Sequence, residues 1–125
     1  MATDLAISVE DQPGVLASMS EALGSAGVNI AGVWGAGTGS GSVVHLLVDD
    51  ETGARQALEG AGFGSIEARE VLMVDIEDRP GALGETARKI ADAGVNIELV
   101  CLASDTRLMI GAADLDAVRT ALGQS

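Results

Sequence analysis

The chain has 125 residues, room for one ordinary domain or two small ones, and 47% of them are hydrophobic, so a packed core is expected and disorder is not. Nineteen acidic residues against seven basic ones give a formal net charge of −12, which disfavours both nucleic acid and anionic membrane surfaces as partners. One Phe, one Trp and no Tyr leave little for stacking on nucleotides, and one Cys with one His makes neither an internal disulfide nor a metal cluster.

The N-terminal "MATDLAISVED" lacks the basic flank and apolar run of a signal peptide, and no stretch approaches a membrane span. A soluble, cytoplasmic protein is expected. Leu5, Ile7 and Val9 alternate with Ala6 and Ser8, the period of a half-buried strand. The turn "EDQPG" follows, with Pro13 suited to a first helical position. From Val15, the residues Leu16, Met19, Leu23 and Ala26 define one helical stripe. Gly27 sits where a left-handed helix end belongs, with Val28 placed for the accompanying apolar contact.

"VNIAGVW" reads as a second strand and "VVHLLVDD" as a third, joined through "GAGTGSGS". That glycine run has no Lys and precedes a strand, so it is a flexible hairpin connection and not a phosphate loop. His45 falls on the strand face opposite Val44, Leu46 and Val48. "VDDE" at Val48–Glu51 suits a helix N-terminus. "DETGARQALEG" follows as a second amphipathic helix, with Ala54, Ala57, Leu58 and Ala61 on one side, and "FGSIEARE" is a fourth strand. The order β-α-β-β-α-β is the ferredoxin-like α+β arrangement, an antiparallel sheet with helices on one face.

The pattern then recurs. "EDQPGVL" at Glu10–Leu16 returns as "EDRPGAL" at Glu77–Leu83, and "GVNI" at Gly27–Ile30 returns at Gly94–Ile97, both 67 residues on. After a connection shorter by three residues the offset becomes 64, and Asp50, Arg55 and Leu58 match Asp114, Arg119 and Leu122. Two tandem modules are expected, 1–70 and 71–125, the second without a last strand. No linker separates them, so residues 63–77 are expected to form one long or gently bent strand shared between two sheets.

The combination of strand, Asp-x-Pro-Gly-x-Leu, helix and Gly-Val-Asn-Ile resembles the ACT domain, a small module that binds amino acids and regulates enzymes of amino-acid metabolism. The resemblance covers both copies. It implies a stand-alone tandem regulator without a catalytic domain and without a cofactor, sensing a small amino acid and reporting to a metabolic enzyme. By position it also implies a ligand held between the first turn of one module and the Asn segment of another. The residues so implicated are Asp11, Gln12, Gly14, Val15, Asn29 and Ile30, and in the second copy Asp78, Arg79, Gly81, Ala82, Asn96 and Ile97.

The chemistry of such a turn suits a zwitterion. A helix N-terminus offers N–H donors and partial positive charge to a carboxylate, and an aspartate beside it offers counter-charge to an ammonium. The plainer reading makes Asp11 and Asp78 caps of the helices that follow, and a module that only oligomerises or tethers an enzyme is the alternative function. If the second module lacks its last strand, residues 71–76 expose an edge and an apolar outer face. A homodimer is therefore expected.

Overall fold

The computed structural model describes residues 2–37 and 39–124; Thr38, inside the glycine-rich connection, lies outside them. The molecule is of the α+β class, with six strands and four helices among the described residues. It divides into two units, Ala2–Arg69 and a second beginning at Glu70.

The first unit contains β1 (Ala2–Val9), α1 (Val15–Ser25), β2 (Ile30–Gly37), β3 (Ser42–Val48), α2 (Glu51–Gly60) and the start of β4 (Ile66–Asp75). Its strand order is β2-β3-β1-β4. The pairs β1–β3 and β2–β3 are antiparallel, with Leu5 opposite Leu46 and Trp34 opposite His45. Ser8 N–H donates to the Ser65 carbonyl at 3.0 Å, beside the start of β4. Side chains alternate across a strand, so Leu5, Ile7, Leu46 and Val48 face one way. They form the core with Met19 and Leu23 of α1, Val28, and Ala54 and Leu58 of α2.

The second unit contains the remainder of β4, α3 (Ala82–Asp92), β5 (Leu99–Ser104), β6 (Arg107–Gly111) and α4 (Leu115–Ala121), in strand order β4-β6-β5. Leu72–Asp75 of β4 pair antiparallel with Arg107–Ile110 of β6. Leu72, Val74, Leu108 and Ile110 pack on Ile90 and Val118. No strand follows α4 among the described residues. No helix there is long and apolar enough to cross a membrane.

The two "GVNI" segments leave their helices by the same device. Gly27 and Gly94 adopt φ of 74° and 77°, a region glycine enters without Cβ strain. In each, the next residue donates back into the helix: Val28 N–H to Leu23 O at 2.9 Å, Val95 N–H to Ile90 O at 3.2 Å. The pairing occupies carbonyls that the helix end would otherwise leave bare.

Four expectations need correction. Residues 71–76 do not present an exposed apolar outer face, since Val71 is buried and Met73 half-buried. Pro13 does not open α1; it lies in the turn before Gly14, and the helix begins at Val15. The helical stripe is narrower than the periodicity predicts. Leu16 is 51% exposed and Ala26 is exposed, while Val15 packs against the core instead. Ala61 of the second stripe is also exposed, lying at the end of α2. Finally, β2 runs on to Gly37, because backbone pairing with β3 needs no side chain and carries the strand into the glycine run.

Candidate functional site

The two Asp-x-Pro-Gly turns are built alike. Gly14 precedes α1 at φ 87° and Gly81 precedes α3 at φ 89°, both left-handed, and neither helix receives a side-chain cap. An L-residue at this point would be strained. The glycines thus stand just outside the helices, one position before each begins. The other two helices begin differently. Asp50 Oδ1 accepts from Gly53 N–H at 2.9 Å to cap α2, and Asp114 Oδ1 accepts from Ala117 N–H at 3.0 Å to cap α4. A helix start leaves its first N–H groups without intrahelical partners. The two helices that follow the Pro-Gly pairs keep theirs uncapped by any side chain.

Asp11 and Asp78 are therefore not helix caps. Asp11 turns the other way: its Oδ2 accepts from Gly39 N–H at 3.3 Å, which ties the turn after β1 to the β2–β3 hairpin. Gly37 completes the arrangement, since a Cβ there would lie 2.4 Å from Asp11 Oδ2. Asp78 is exposed and its carboxylate makes no hydrogen bond or ion pair among the described residues. Matching positions in sequence thus stand in different surroundings.

The neighbouring residues differ too. Gln12 is exposed and donates to Glu10. Arg79 is held by two carboxylates: Nε to Glu77 at 2.5 Å, and Nη1 and Nη2 to Glu85 at 3.2 and 2.6 Å. Glu85, then Glu77, holds the guanidinium pKa above its ordinary value; in return Arg79 lowers that of Glu85. The sequence reading missed Glu77 and Glu85. Their signal was present as acidic residues two before and six after Arg79, close enough to meet it where the chain turns.

Among the other implicated residues, Val15 and Ile30 pack against the first core and Ile97 against the second, while Ala82 is buried. These four are packing residues by position. Asn29 and Asn96 are exposed, each directly ahead of an isoleucine that anchors the segment. Each unit thus presents a carboxylate, a helix start without a side-chain cap and an exposed Asn. Among the described residues no three His, Cys, Asp or Glu side chains cluster as a metal site.

No protein-family model matches the sequence, and no curated protein matches it. The fold has solved counterparts. A protein from Bacteroides thetaiotaomicron is 23% identical with a TM-score of 0.86, over 98% of this chain and 86% of that one. The regulatory subunit of aspartate kinase from Thermus thermophilus, in its ligand-free form, gives a TM-score of 0.73 at 23% identity, covering 98% of this chain and 90% of that one. The same subunit from Thermus flavus gives 0.66 at 25% identity, with 97% and 92% covered. Over nearly its whole length, then, this chain shares its fold with regulatory subunits of aspartate kinase.

Proposed function

We propose that the chain is a non-catalytic regulatory protein of two ACT-type, ferredoxin-like modules, 1–70 and 71–125, that binds a small amino acid and passes its binding state to a metabolic enzyme. One observation carries this reading. The helices after the Asp-x-Pro-Gly turns lack side-chain caps, whereas the other two are capped by Asp50 and Asp114. The first N–H groups, of Val15 and Ala82, donate to the Gln12 and Arg79 carbonyls; those that follow suit a ligand carboxylate, and Asp11 or Asp78 beside them suits its ammonium. In this reading the remaining contacts come from the Asn29 or Asn96 segment of a neighbouring module. The fold likeness to aspartate kinase regulatory subunits supports a regulatory role. The coupling is linkage: an amino acid held by groups that converge in one arrangement favours that arrangement, and the partner reads it.

Equilibrium dialysis against the twenty amino acids tests the proposal. One of them is expected to bind saturably. Asp→Asn at Asp11 or Asp78 then removes an interaction worth about 1.5–3 kcal/mol, which weakens binding roughly ten- to a hundred-fold. Binding that is unchanged in both single variants and in the double variant overturns the assigned site.

A second reading, association without a ligand, has its own support. Leu16 and Leu83 occupy the same place 67 residues apart and are 51% and 53% exposed; Val33 and Val100, also 67 apart, are 51% and 48% exposed. Large apolar side chains left in water at matching positions suit an interface. The protein is expected to form a homodimer under either reading, and the dialysis screen separates the two.

A further inference from the structure

On the sheet face turned away from the first core, three side chains form a supported aromatic wall. Trp34 and His45, directly opposite one another on β2 and β3, stack with ring centroids 4.2 Å apart and planes within 5°. His45 Nδ1 lies 2.7 Å from Asp4 Oδ2 on β1, and Asp4 is 1% exposed with its other oxygen, Oδ1, buried and unpartnered. Burying a carboxylate with an unsatisfied oxygen is unfavourable for folding.

The second copy shows that the fold does not need this arrangement. By the same offsets, Asp4, Trp34 and His45 become Val71, Cys101 and Met109. Cys101 again lies directly opposite Met109, and Val71 and Met109 are buried apolar side chains. The duplicated scaffold thus tolerates an apolar set where the first copy keeps an acid, an imidazole and an indole. The polar set serves something other than packing.

Beside it opens a cleft of about 490 Å³, lined by Trp34 with Ser8, Ala36, Ser42 and Val43, and His45 is not among the lining residues. The indole lines the cleft, and the imidazole stacks on it. That volume lies within the range of small-molecule sites, which bury most of their ligand against apolar walls with a few polar groups. Among the described residues no charged side chain lines the cleft, so an ionic group entering it would lose solvation without gaining a partner. Ser8, on the same face of β1 as Asp4 and exposed, brings a hydroxyl to the lining that can donate to or accept from a ligand. An indole already held by stacking on His45 loses little freedom when a flat ring packs against it.

We propose that this cleft is a second ligand site, separate from the Asp-x-Pro-Gly turns, for an uncharged small molecule carrying a flat aromatic ring. Trp34 supplies the ring contact. His45 and Asp4 are positioning residues that hold the indole upright.

The chain offers a direct readout, because Trp34 is its one tryptophan and it has no tyrosine. Titration of Trp34 emission with benzamide, a neutral ring of few atoms, is expected to saturate with a Kd of roughly millimolar order. Benzoate, the charged counterpart, is expected not to saturate over the same range. Val43→Phe fills the cleft from its exposed wall and is expected to raise the benzamide Kd at least tenfold; if it does not fold, Ala36→Leu on the exposed part of β2 makes the same test. His45→Ala is expected to weaken binding several-fold. Linear quenching without saturation overturns the proposal, as does equal binding by the filled variants. Emission that shifts with protein concentration alone also overturns it, because a second copy of the chain would then be the occupant.

Discussion

Asp11 and Asp78 show how far one residue's role depends on what its neighbours leave open. Asp11 faces a hairpin whose Gly37 has no Cβ to obstruct it, and it holds Gly39 N–H. Gly37→Ala would push a Cβ into that carboxylate, the end of a flexible side chain able to swing into water. The expected result is a stability change under about 1 kcal/mol, as for other surface substitutions, with faster exchange of the Gly39 amide as the measurable sign that the tie is broken. Gly27 and Gly94 make a contrasting pair. A Cβ at either meets nothing within 4 Å, so alanine there adds only left-handed backbone strain. Each substitution is expected to cost about 1–2 kcal/mol in urea unfolding, and their similarity would reflect the shared helix exit.

At the scale of elements, the four helix starts fall into two kinds. Asp50→Ala removes the hydrogen bond to Gly53 and is expected to cost about 1 kcal/mol; Asp11→Ala removes no cap from α1 and is expected to leave helix stability nearly unchanged. Denaturant melts of the two variants side by side measure the difference. Helix α3 carries a further, pH-dependent contribution from Glu85, whose pKa Arg79 holds below its ordinary value in the folded protein. A lowered carboxylate pKa means stability that is present above the unfolded value and lost as pH falls through the folded one. Acid is therefore expected to release the Arg79 clamp below the ordinary glutamate range. Arg79→Gln should flatten that limb of the stability–pH curve. Both groups are exposed, so high salt should flatten it too.

For the molecule as a whole, the proposed function makes stability depend on ligand. An amino acid bound only by the folded state stabilises it by about 2.7 kcal/mol at a hundred times its Kd. The melting temperature is expected to rise with the logarithm of ligand concentration, and the rise should vanish in the Asp11→Asn, Asp78→Asn double variant. Light scattering at micromolar concentration checks the homodimer. Charged substitutions at Leu16 and Leu83 are expected to return it to monomer if those exposed side chains form the contact.

Much of the chain could be read in one dimension because its signals are local. Alternating Leu5, Ile7 and Val9 marked a strand, the glycines of "GVNI" marked helix exits, and "VDDE" marked the capped start of α2. Each depends on residues within a few positions of one another. The repeat then extended the same reading to the second copy, and the paired turns marked where ligand chemistry was to be sought. Tertiary structure decided what those turns contain. Asp11 reaches Gly39 across 28 positions, and Asp4, Trp34 and His45 come together from three separate strands. Exposure of Leu16 was equally hidden, since periodicity shows which helix face is apolar but not how much of that face the sheet covers. Spacing along the chain determined the elements; strand order and register decided which side chains meet, because those contacts join residues that no local pattern links.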